Sequence, residues 1–585
     1  MAEDTSIFTR YDLYTTADRF IVEPVGDDGG NIGQQCLIID RVSHDLSLQG
    51  RDMLPYEAEA MTVYGLLGVC HLVAGPYLIV VTGRELVGQL NGHNLWKLTE
   101  TDMLPYTKTT LHLTENMLSQ NKKFLSLITS VLKTDGFYFS YTFDITHSLQ
   151  RLENTTPEFR MSPMHERADQ RFLWNKYILS DIIVQPELHR FCLPLMQGFV
   201  GVVKHWLASG YFQLWLISRR ACLRAGTRFY SRGIDAEGNV SNFVETEQIL
   251  EWGDFLCALV QLRGSIPLFW SQRPNLQWQP VPKQPPNPRN SHALRLHMSG
   301  QLFYYGGSHV ILNLVSTTKF REKILGDKLE QAVREAKMES IKYQAFDFHK
   351  ECRNLNWSRL DHLRDTLLPD IEAFGYFLSR TSDSQEGLLQ TGYFRTNCMD
   401  SLDRTNVVQS IIARTALEIQ LKRLRLLSEG GLAEHSDLNA KFKNLWADNG
   451  DMVSVQYAGT GALKADFTRS GKRTPWGALR DGYNAVVRYG KNNFYDGDRQ
   501  DAIDLFLGNY VVDTNKLEVP EDIRWPNFVI LALVFSVAMM LLVLFLSTEH
   551  TFWFTLFWLT VAVALLFIIL TFGEEFVNKP KLKME

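Results

Sequence analysis

The sequence is poor in the features that define several common classes of protein. Its seven cysteines are widely separated and include no C-x-x-C pair, which argues against a zinc site and against a disulfide framework. It contains no GxxxxGK[ST] element and no internal repeat. We therefore expect reduced thiols in a cytosolic environment, with no metal and no other cofactor.

An excess of positive charge is also absent. The 585 residues include 60 basic and 65 acidic side chains, so the net charge of −5 argues against a nucleic-acid-binding protein. Residues 1–5 are acidic where a signal peptide is basic, and no apolar run follows them, so secretion is not expected. Apolar residues at 45% and charged residues at 21% are typical of globular proteins, and the length suits several domains.

Two long apolar runs distinguish the C-terminal end from the rest of the chain. Residues 528–547 and 551–572 contain no charged side chain, and each run is long enough to cross a hydrocarbon core of about 30 Å as a helix. Residues 548–550 between them are too few for anything but a turn. The pattern predicts a transmembrane hairpin, and the alternative is a buried helical hairpin of a large soluble domain.

The charges around these runs predict the orientation of the hairpin. Arg524 precedes the first run and Lys579, Lys581 and Lys583 follow the second, so the positive-inside rule places both flanks, and both chain termini, in the cytosol. Lys581 and Lys583 also resemble the dilysine retrieval signal of endoplasmic reticulum membrane proteins. The tail, residues 573–585, is therefore expected to bind the coat-protein retrieval machinery; the alternative is that its lysines only orient the membrane spans.

The cytosolic part divides by pattern into two regions and a linker. Residues 1–170 contain short strand-like runs separated by turns, whereas residues 171–510 mix strands with amphipathic helices, for example over 328–339 and 406–427. This mixture indicates an α/β catalytic region. Residues 511–527 are expected to form a juxtamembrane linker.

A cysteine followed six positions later by arginine is the minimal pattern for a loop that binds phosphate and attacks it with a thiolate. The pattern occurs at Cys222 and Arg228, at Cys257 and Arg263, and at Cys398 and Arg404. Such a loop should follow a strand and open a helix, whose N-terminus helps to bind the anion. Cys257 lies in a mostly apolar stretch and is interpreted as a core thiol, and the residues after Cys222 are more typical of a strand entry.

Cys398 has the expected context on both sides. Residues 392–397 are typical of a strand, and an apolar stripe at helical spacing follows Arg404. The loop between them contributes Met399, Ser401 and Leu402, whose backbone amides would surround a phosphate. Thr405 is placed to offer its hydroxyl to the thiolate.

Two carboxylates lie inside this loop. A carboxyl group beside a dianionic phosphate has a raised pKa, which suits a general acid that protonates the leaving oxygen. Asp403, next to Arg404, is favoured as this acid and Asp400 is second, although either could instead orient the loop by accepting backbone amides. Arg404 and the loop amides would stabilise the phosphate charge without a metal.

A second segment, residues 460–480, is locally basic. Lys464, Arg469, Lys472, Arg473 and Arg480 stand against a single acidic residue. A basic segment close to a membrane anchor would attract anionic lipid head groups. The alternative is an ordinary solvated loop.

Residues 395–406, Arg-Thr-Asn-Cys-Met-Asp-Ser-Leu-Asp-Arg-Thr-Asn, are similar to the catalytic motif of the suppressor-of-actin (Sac-domain) phosphoinositide phosphatases. The likeness continues through residues 224–229, 242–247, 263–267 and 459–484. It covers about residues 1–510, and with the two apolar runs the chain resembles the integral-membrane branch of the family in the endoplasmic reticulum and Golgi.

The resemblance implies an N-terminal Sac subdomain packed on a cysteine-phosphatase-like catalytic subdomain. It implies hydrolysis of phosphatidylinositol 4-phosphate, with weaker action on the 3-phosphate and less on the 3,5-bisphosphate, through a cysteinyl-phosphate at Cys398. Myotubularin-type phosphatases have a similar loop with an aspartate before the arginine, which supports Asp403 as the acid. A phosphoinositide lipid and the membrane are the implied partners, and lipid-transfer or contact-site proteins would fit the location. Two other hypotheses are a phosphoprotein phosphatase and a non-catalytic lipid-binding scaffold.

Overall fold

The computed structural model describes residues 6–26, 35–55, 59–207, 210–352, 358–380, 383–427, 431–463, 465–470, 474–514, 525–546 and 550–583. The fold is mixed α/β with a C-terminal pair of apolar helices, which confirms the predicted fold class. In the described residues the strands form two sheets, a five-stranded one near the N-terminus and a large one that runs through the rest of the chain before the apolar helices.

The smaller sheet is antiparallel and has the strand order β4-β3-β2-β1-β5. Its strands are β1 (Arg10–Thr15), β2 (Arg19–Val25), β3 (Gln35–Asp40), β4 (Leu46–Gly50) and β5 (Ala60–Val63). Apolar side chains on one face, such as Phe20, Val22 and Leu37, are fully buried in a core of their own. Burial of this face helps to hold the strand register, because a slip of one residue would turn these side chains to the other face.

The larger sheet has thirteen strands within the described residues. The first eight are β6 (Leu66–Leu72), β7 (Gly75–Leu90), β8 (His93–Pro105), β9 (Phe137–Phe139), β10 (Met196–Leu207), β11 (Gly210–Arg220), β12 (Val244–Trp252) and β13 (Phe255–Arg263). The others are β14 (Ser308–Asn313), β15 (Ile341–Ala345), β16 (Phe377–Arg380), β17 (Asp383–Leu388) and β18 (Gly392–Asn397). Most pairs are antiparallel, but β13, β18, β14 and β15 pair in parallel in that order.

The predicted boundary at residue 170 lies between β9 and β10, which pair with each other inside this sheet. The two expected subdomains therefore share one continuous sheet, and the boundary itself stays a prediction. The stretch that contains Cys257 is the β12–β13 hairpin, and the Cys257 side chain is fully buried there.

Sixteen α-helices lie within the part of the chain that the structure describes. Those before the phosphate loop are α1 (Glu115–Leu132), α2 (Leu149–Glu153), α3 (Pro157–Met161), α4 (Met164–Arg167), α5 (Lys176–Ile183), α6 (Asn290–Tyr305), α7 (Phe320–Ala336), α8 (Phe348–Glu351) and α9 (Ser358–Phe374). Those after it are α10 (Asp403–Arg423), α11 (Ser436–Ala458), α12 (Ala465–Ser470), α13 (Pro475–Phe494), α14 (Asp496–Phe506), α15 (Trp525–Leu546) and α16 (Thr551–Thr571).

Helices α15 and α16 correspond closely to the two predicted membrane spans. Both helices are strongly apolar, only 6% of the apolar stretch of each is buried, and the two helices pack against each other. Their length and composition are sufficient to cross a membrane. Of the predicted turn, residues 548 and 549 lie outside the described residues.

The chain after α16 returns to the part of the fold that precedes α15. The backbone N–H of Asn578 donates to the Asn493 carbonyl at 2.7 Å, and the Tyr230 hydroxyl donates to the Asn578 carbonyl. The N–H groups of Lys581 and Leu582 both donate to Asp501, and the Leu582 side chain is buried. The tail is thus fastened to the α13–α14 region by its backbone.

Candidate active site

The Cys398 loop lies at the carboxyl end of the central parallel strand of the large sheet. All six residues of β18 are buried, and β14 and β13 flank this strand on its two sides. Cys398 follows directly and is 2% exposed, and α10 begins at Asp403. The carboxyl edge of parallel strands is the usual place for a ligand site in an open α/β sheet.

Helix α10 is held against the sheet by the apolar stripe seen in the sequence. Val408, Ile412 and Ala416 are buried in the largest apolar core, and Ile411 packs against its edge. Burial of each large aliphatic side chain contributes about 1.5–3 kcal/mol. The helix and its N-terminus are thereby fixed relative to Cys398.

The turn between strand and helix is tight and externally braced. Ser401 has a φ of 53°, in the left-handed region. The fully buried Arg263 donates to the carbonyls of Ser401 and Leu402, the latter at 2.9 Å, and Arg232 donates to the Met399 carbonyl at 3.1 Å. Because these carbonyls are bonded to arginines outside the loop, the loop N–H groups are left to bind an anion.

Arg404 is oriented by α7. Its Nη1 donates to Glu322 at 2.7 Å and to the Leu314 carbonyl at 3.1 Å. Burial favours the neutral guanidine, but the charges of Cys398 and Glu322 outweigh it and raise the pKa of Arg404 above its ordinary value. Arg404 is therefore a fixed cation beside the thiol, and Glu322 aims it.

Asp400 is held by two arginines. Arg228 donates to both carboxylate oxygens at 3.1 and 2.8 Å, and Arg232 adds a third bond at 2.7 Å. Burial alone would favour the protonated acid, yet these two guanidiniums hold the pKa of Asp400 well below its ordinary value. Asp400 therefore remains ionised and is poorly suited to donate a proton.

Asp403 has the opposite environment. Burial raises its pKa above the ordinary value, against the opposing effects of Arg488 and of the Leu463 N–H. The Leu463 N–H donates to Oδ1 at 2.8 Å, and Arg488 lies 3.9 Å from Oδ2. The two loop carboxylates thus differ strongly in their readiness to carry a proton, as an acid paired with a structural anion would.

These groups open onto one cavity of about 620 Å³. Cys398, Asp400, Asp403 and Arg404 lie along its wall. The loop around Pro280 and the start of α7 also line it. The cavity is large enough for a phosphorylated inositol ring.

Of the remaining loop residues predicted from the sequence, Ser401, Leu402 and Thr405 are buried, whereas Met399 is half-buried and lines the cavity. The hydroxyls of Ser401 and Thr405 have no hydrogen-bond partner among the described residues. Both hydroxyls are enclosed within the loop, and neither residue lines the cavity. Their assignment to the phosphate loop stays a prediction.

The basic segment is only partly described. Lys464, Lys472 and Arg473 lie outside the described residues. Arg469 is paired with Asp448 at 2.8 Å and with a second aspartate, so its charge is largely used within the protein, while Arg480 is exposed on α13. Binding of lipid head groups by this segment remains a prediction.

The structure shows where the cysteine and the arginine of each of the three matches lie. Only Cys398 lies at the cavity, but Arg228 and Arg263 of the other two matches both reach its loop. Burial raises the pKa of both Cys222 and Cys257 to about 12, so neither is a nucleophile. After Cys222 the chain forms turns rather than the expected strand, because β11 has already ended at Arg220.

Comparison with known proteins shows which family the chain resembles. Residues 64–353 match the family described as "SacI homology domain". The chain is 46% identical to the zebrafish (Danio rerio) protein "Phosphatidylinositol-3-phosphatase SAC1-B", over 99% of this chain and 98% of that protein. It is 40% identical to the "Phosphatidylinositol-3-phosphatase SAC1" of Drosophila melanogaster over 99% and 98%, and 34% identical to the protein so named in Saccharomyces cerevisiae over 91% and 87%.

Proposed function

The chain belongs to the Sac-domain family of phosphoinositide phosphatases, and from this premise we propose that it hydrolyses phosphatidylinositol 4-phosphate to phosphatidylinositol. Weaker activity is proposed on the 3-phosphate, and less on the 3,5-bisphosphate. The observation that carries the proposal is the buried Cys398 beside Arg404 in a cavity of about 620 Å³ that is also lined by one carboxyl group with a lowered pKa, Asp400, and one with a raised pKa, Asp403.

The proposed reaction has two steps. The Cys398 thiolate attacks phosphorus, an S–P bond forms, and the P–O bond to inositol breaks while Asp403 gives its proton to the leaving oxygen. A water molecule then attacks the cysteinyl-phosphate, Asp403 takes a proton from it, and phosphate leaves with the thiolate restored. Arg404 and the loop N–H groups stabilise the equatorial oxygens in both steps.

Asp400 has a different role in this scheme. Its carboxylate fixes Arg228 and Arg232, and Arg232 in turn braces the loop at the Met399 carbonyl. Sequence alone leaves Asp400 as the second candidate for the acid. The proposal assigns proton transfer to Asp403 alone, because a carboxylate with three charged hydrogen bonds gives up its ionised state only at low pH.

Phosphate release from proteoliposomes that contain the full chain tests this function. Vesicles with phosphatidylinositol 4-phosphate, the 3-phosphate or the 3,5-bisphosphate are compared with a phosphotyrosine and a phosphoserine peptide. Release in the order 4-phosphate, 3-phosphate, 3,5-bisphosphate supports the proposal. Preference for the peptides would favour a protein phosphatase, and binding to vesicles without release would favour a lipid-binding scaffold.

The location is proposed on the charges and apolar helices. The chain would lie in the endoplasmic reticulum membrane with α15 and α16 as spans and both termini cytosolic, and would cycle to the Golgi through coat recognition of Lys581 and Lys583. Glycosylation acceptor tags at either terminus and beside His550 test the topology, since only the last should be modified. Arg480 and the basic segment are proposed to bind lipid head groups.

A further inference from the structure

Helix α13 leaves an apolar face uncovered along most of its length. Trp476, Leu479, Tyr483 and Val486 are 79%, 64%, 69% and 62% exposed. Their spacing of three, four and three residues places them on one side of the helix. A continuous exposed stripe of large apolar side chains is uncommon on a soluble surface and indicates an interaction site.

The opposite face of α13 is firmly attached, so the stripe cannot turn inward. The buried Arg488 donates to the Thr460 hydroxyl at 2.9 Å and to the Gly461 carbonyl at 2.8 Å. One turn later, the buried Asn492 donates to the Ala458 carbonyl at 3.2 Å. These contacts fix which side of the helix faces outward.

The helix connects the catalytic cavity with the membrane anchor. Arg488 lines the cavity beside Asp403. At the C-terminal end of the helix, the Asn493 carbonyl accepts the N–H of Asn578 at 2.7 Å. Helix α16 ends at Thr571. The chain from Thr571 to Asn578 spans at most about 25 Å even when it is fully extended.

The loop before α6 joins the same three parts. Trp278 stacks on Tyr489 of α13 with ring centroids 5.4 Å apart, and it remains 59% exposed. Lys283 pairs with Glu574 at 3.3 Å, just beyond α16. Pro280, between these two residues, lines the cavity. The cavity mouth, the stripe and the exit from the membrane are therefore neighbours.

A basic groove lies beside the stripe. It has a volume of about 840 Å³ and is bordered by Lys122 and Lys123 of α1 and by Lys491 of α13, with Asp498 as an acidic neighbour. Lysines beside an exposed apolar face are typical of helices that lie in the interface of an anionic membrane. Tryptophan and tyrosine, both present in the stripe, prefer that same region of a bilayer.

We propose that the exposed face of α13 is a membrane-docking surface, which inserts between lipid head groups and holds the cavity mouth against the bilayer that contains the substrate. The effect of docking on the reaction rate rests on the proposed function. The contact between α13 and lipid does not depend on it. The occupant is a lipid surface with anionic head groups. A second copy of the chain or a protein partner is an alternative that the test must reject.

The first experiment compares Leu479→Gln/Val486→Gln with the matched control Leu111→Gln/Phe303→Gln. The control pair is exposed too, at 94% and 84%, but lies on other surfaces, and glutamine is a good helix former. The full chain is reconstituted with vesicle-embedded phosphatidylinositol 4-phosphate in phosphatidylcholine and phosphatidylserine. A short-chain, water-soluble form of the same lipid is assayed in parallel.

The stripe variant should lose at least about fivefold in rate on the embedded lipid, because two side chains lose their apolar burial. It should keep the wild-type rate on the soluble lipid, and the control should keep both rates. Equal losses on the two substrates, or no loss on either, would overturn the docking role. A wild-type chain inactive on both lipids would refute the proposed function instead.

A second experiment is independent of activity. The full chain with Leu479→Cys, and separately with Leu111→Cys, is labelled with a fluorophore in nanodiscs made with brominated lipid and holding one copy each. The native thiols label equally in both, so the difference reports the introduced positions. At least about twofold stronger quenching at position 479 is expected for a side chain at the lipid boundary. Equal quenching at the two positions in these single-copy discs would overturn the proposal.

Discussion

Replacing Asp403 by asparagine removes the loop carboxyl group whose pKa is raised by burial. Asparagine has the same size and still accepts the Leu463 N–H that now donates at 2.8 Å, so the loop should keep its shape. What is lost is the proton for the leaving inositol oxygen. General acid catalysis contributes about 10²–10⁴-fold, so kcat on phosphatidylinositol 4-phosphate should fall by that factor, equivalent to about 3–5 kcal/mol.

The assay should include a second substrate that needs no acid. An aryl phosphate whose phenol leaves as a stable anion should lose less than about tenfold with Asp403→Asn, because little charge requires neutralisation on its leaving oxygen. Asp400→Asn is the matched control, and its loss should be similar on both substrates. A substrate-independent loss for Asp403→Asn, or a lipid-selective loss for Asp400→Asn, would refute the assignment.

The pH profile gives a further check on the same residue. Asp403 must be protonated in the first step, so kcat on the lipid should fall as pH rises through its pKa, which burial places above the ordinary aspartate value. This descending limb should be absent from the profile of Asp403→Asn. An unchanged limb in the variant would mean that another group supplies the proton.

Three other predictions concern two residues at the loop and one in the C-terminal tail. Glu322→Gln should reduce kcat about tenfold and weaken inhibition by inorganic phosphate, because Arg404 loses the charged partner that aims it; inhibition as strong as in the wild type would contradict this. Asp400→Asn should cost roughly 1–3 kcal/mol in urea unfolding, since Arg228 loses its buried partner. The pKa of Asp400 is lowered in the fold, so this deficit should persist above about pH 4 and shrink below it; a pH-independent deficit would refute the ion-pair explanation. Leu582→Ser should release the tail and speed limited proteolysis there, whereas unchanged cleavage would show that the buried side chain does not hold it.

Local pattern predicted the strand and helix around Cys398 well. The strand expected over 392–397 coincides with β18, because six buried positions between turn residues carry a strong signal. The helix expected over 406–427 is α10, but it begins at Asp403 and ends at Arg423. The helix expected over 328–339 is the second half of α7, which ends at Ala336 because Lys337 adopts a left-handed φ of 48°.

Contacts between segments that are far apart in the chain could not be predicted from the local sequence pattern. Nothing near Glu322 in the sequence indicates that it orients Arg404, since the two residues meet only when α7 packs beside the loop. Arg228 and Arg263 carried a signal, as members of cysteine–arginine pairs and of the family-like segments, but spacing alone assigned them to the wrong thiols. The difference between Asp400 and Asp403 likewise arises from partners far along the chain.

The most direct test of the account is phosphate release from phosphatidylinositol 4-phosphate proteoliposomes by the full chain, with a chelator present, for the wild type, Cys398→Ser and Cys222→Ser. Cys222 is a matched control because it has the same spacing to an arginine but donates its thiol to the Arg171 carbonyl at 3.2 Å, as a serine also can. The account predicts release by the wild type and Cys222→Ser and none by Cys398→Ser. Equal release by all three would contradict a cysteinyl-phosphate at Cys398.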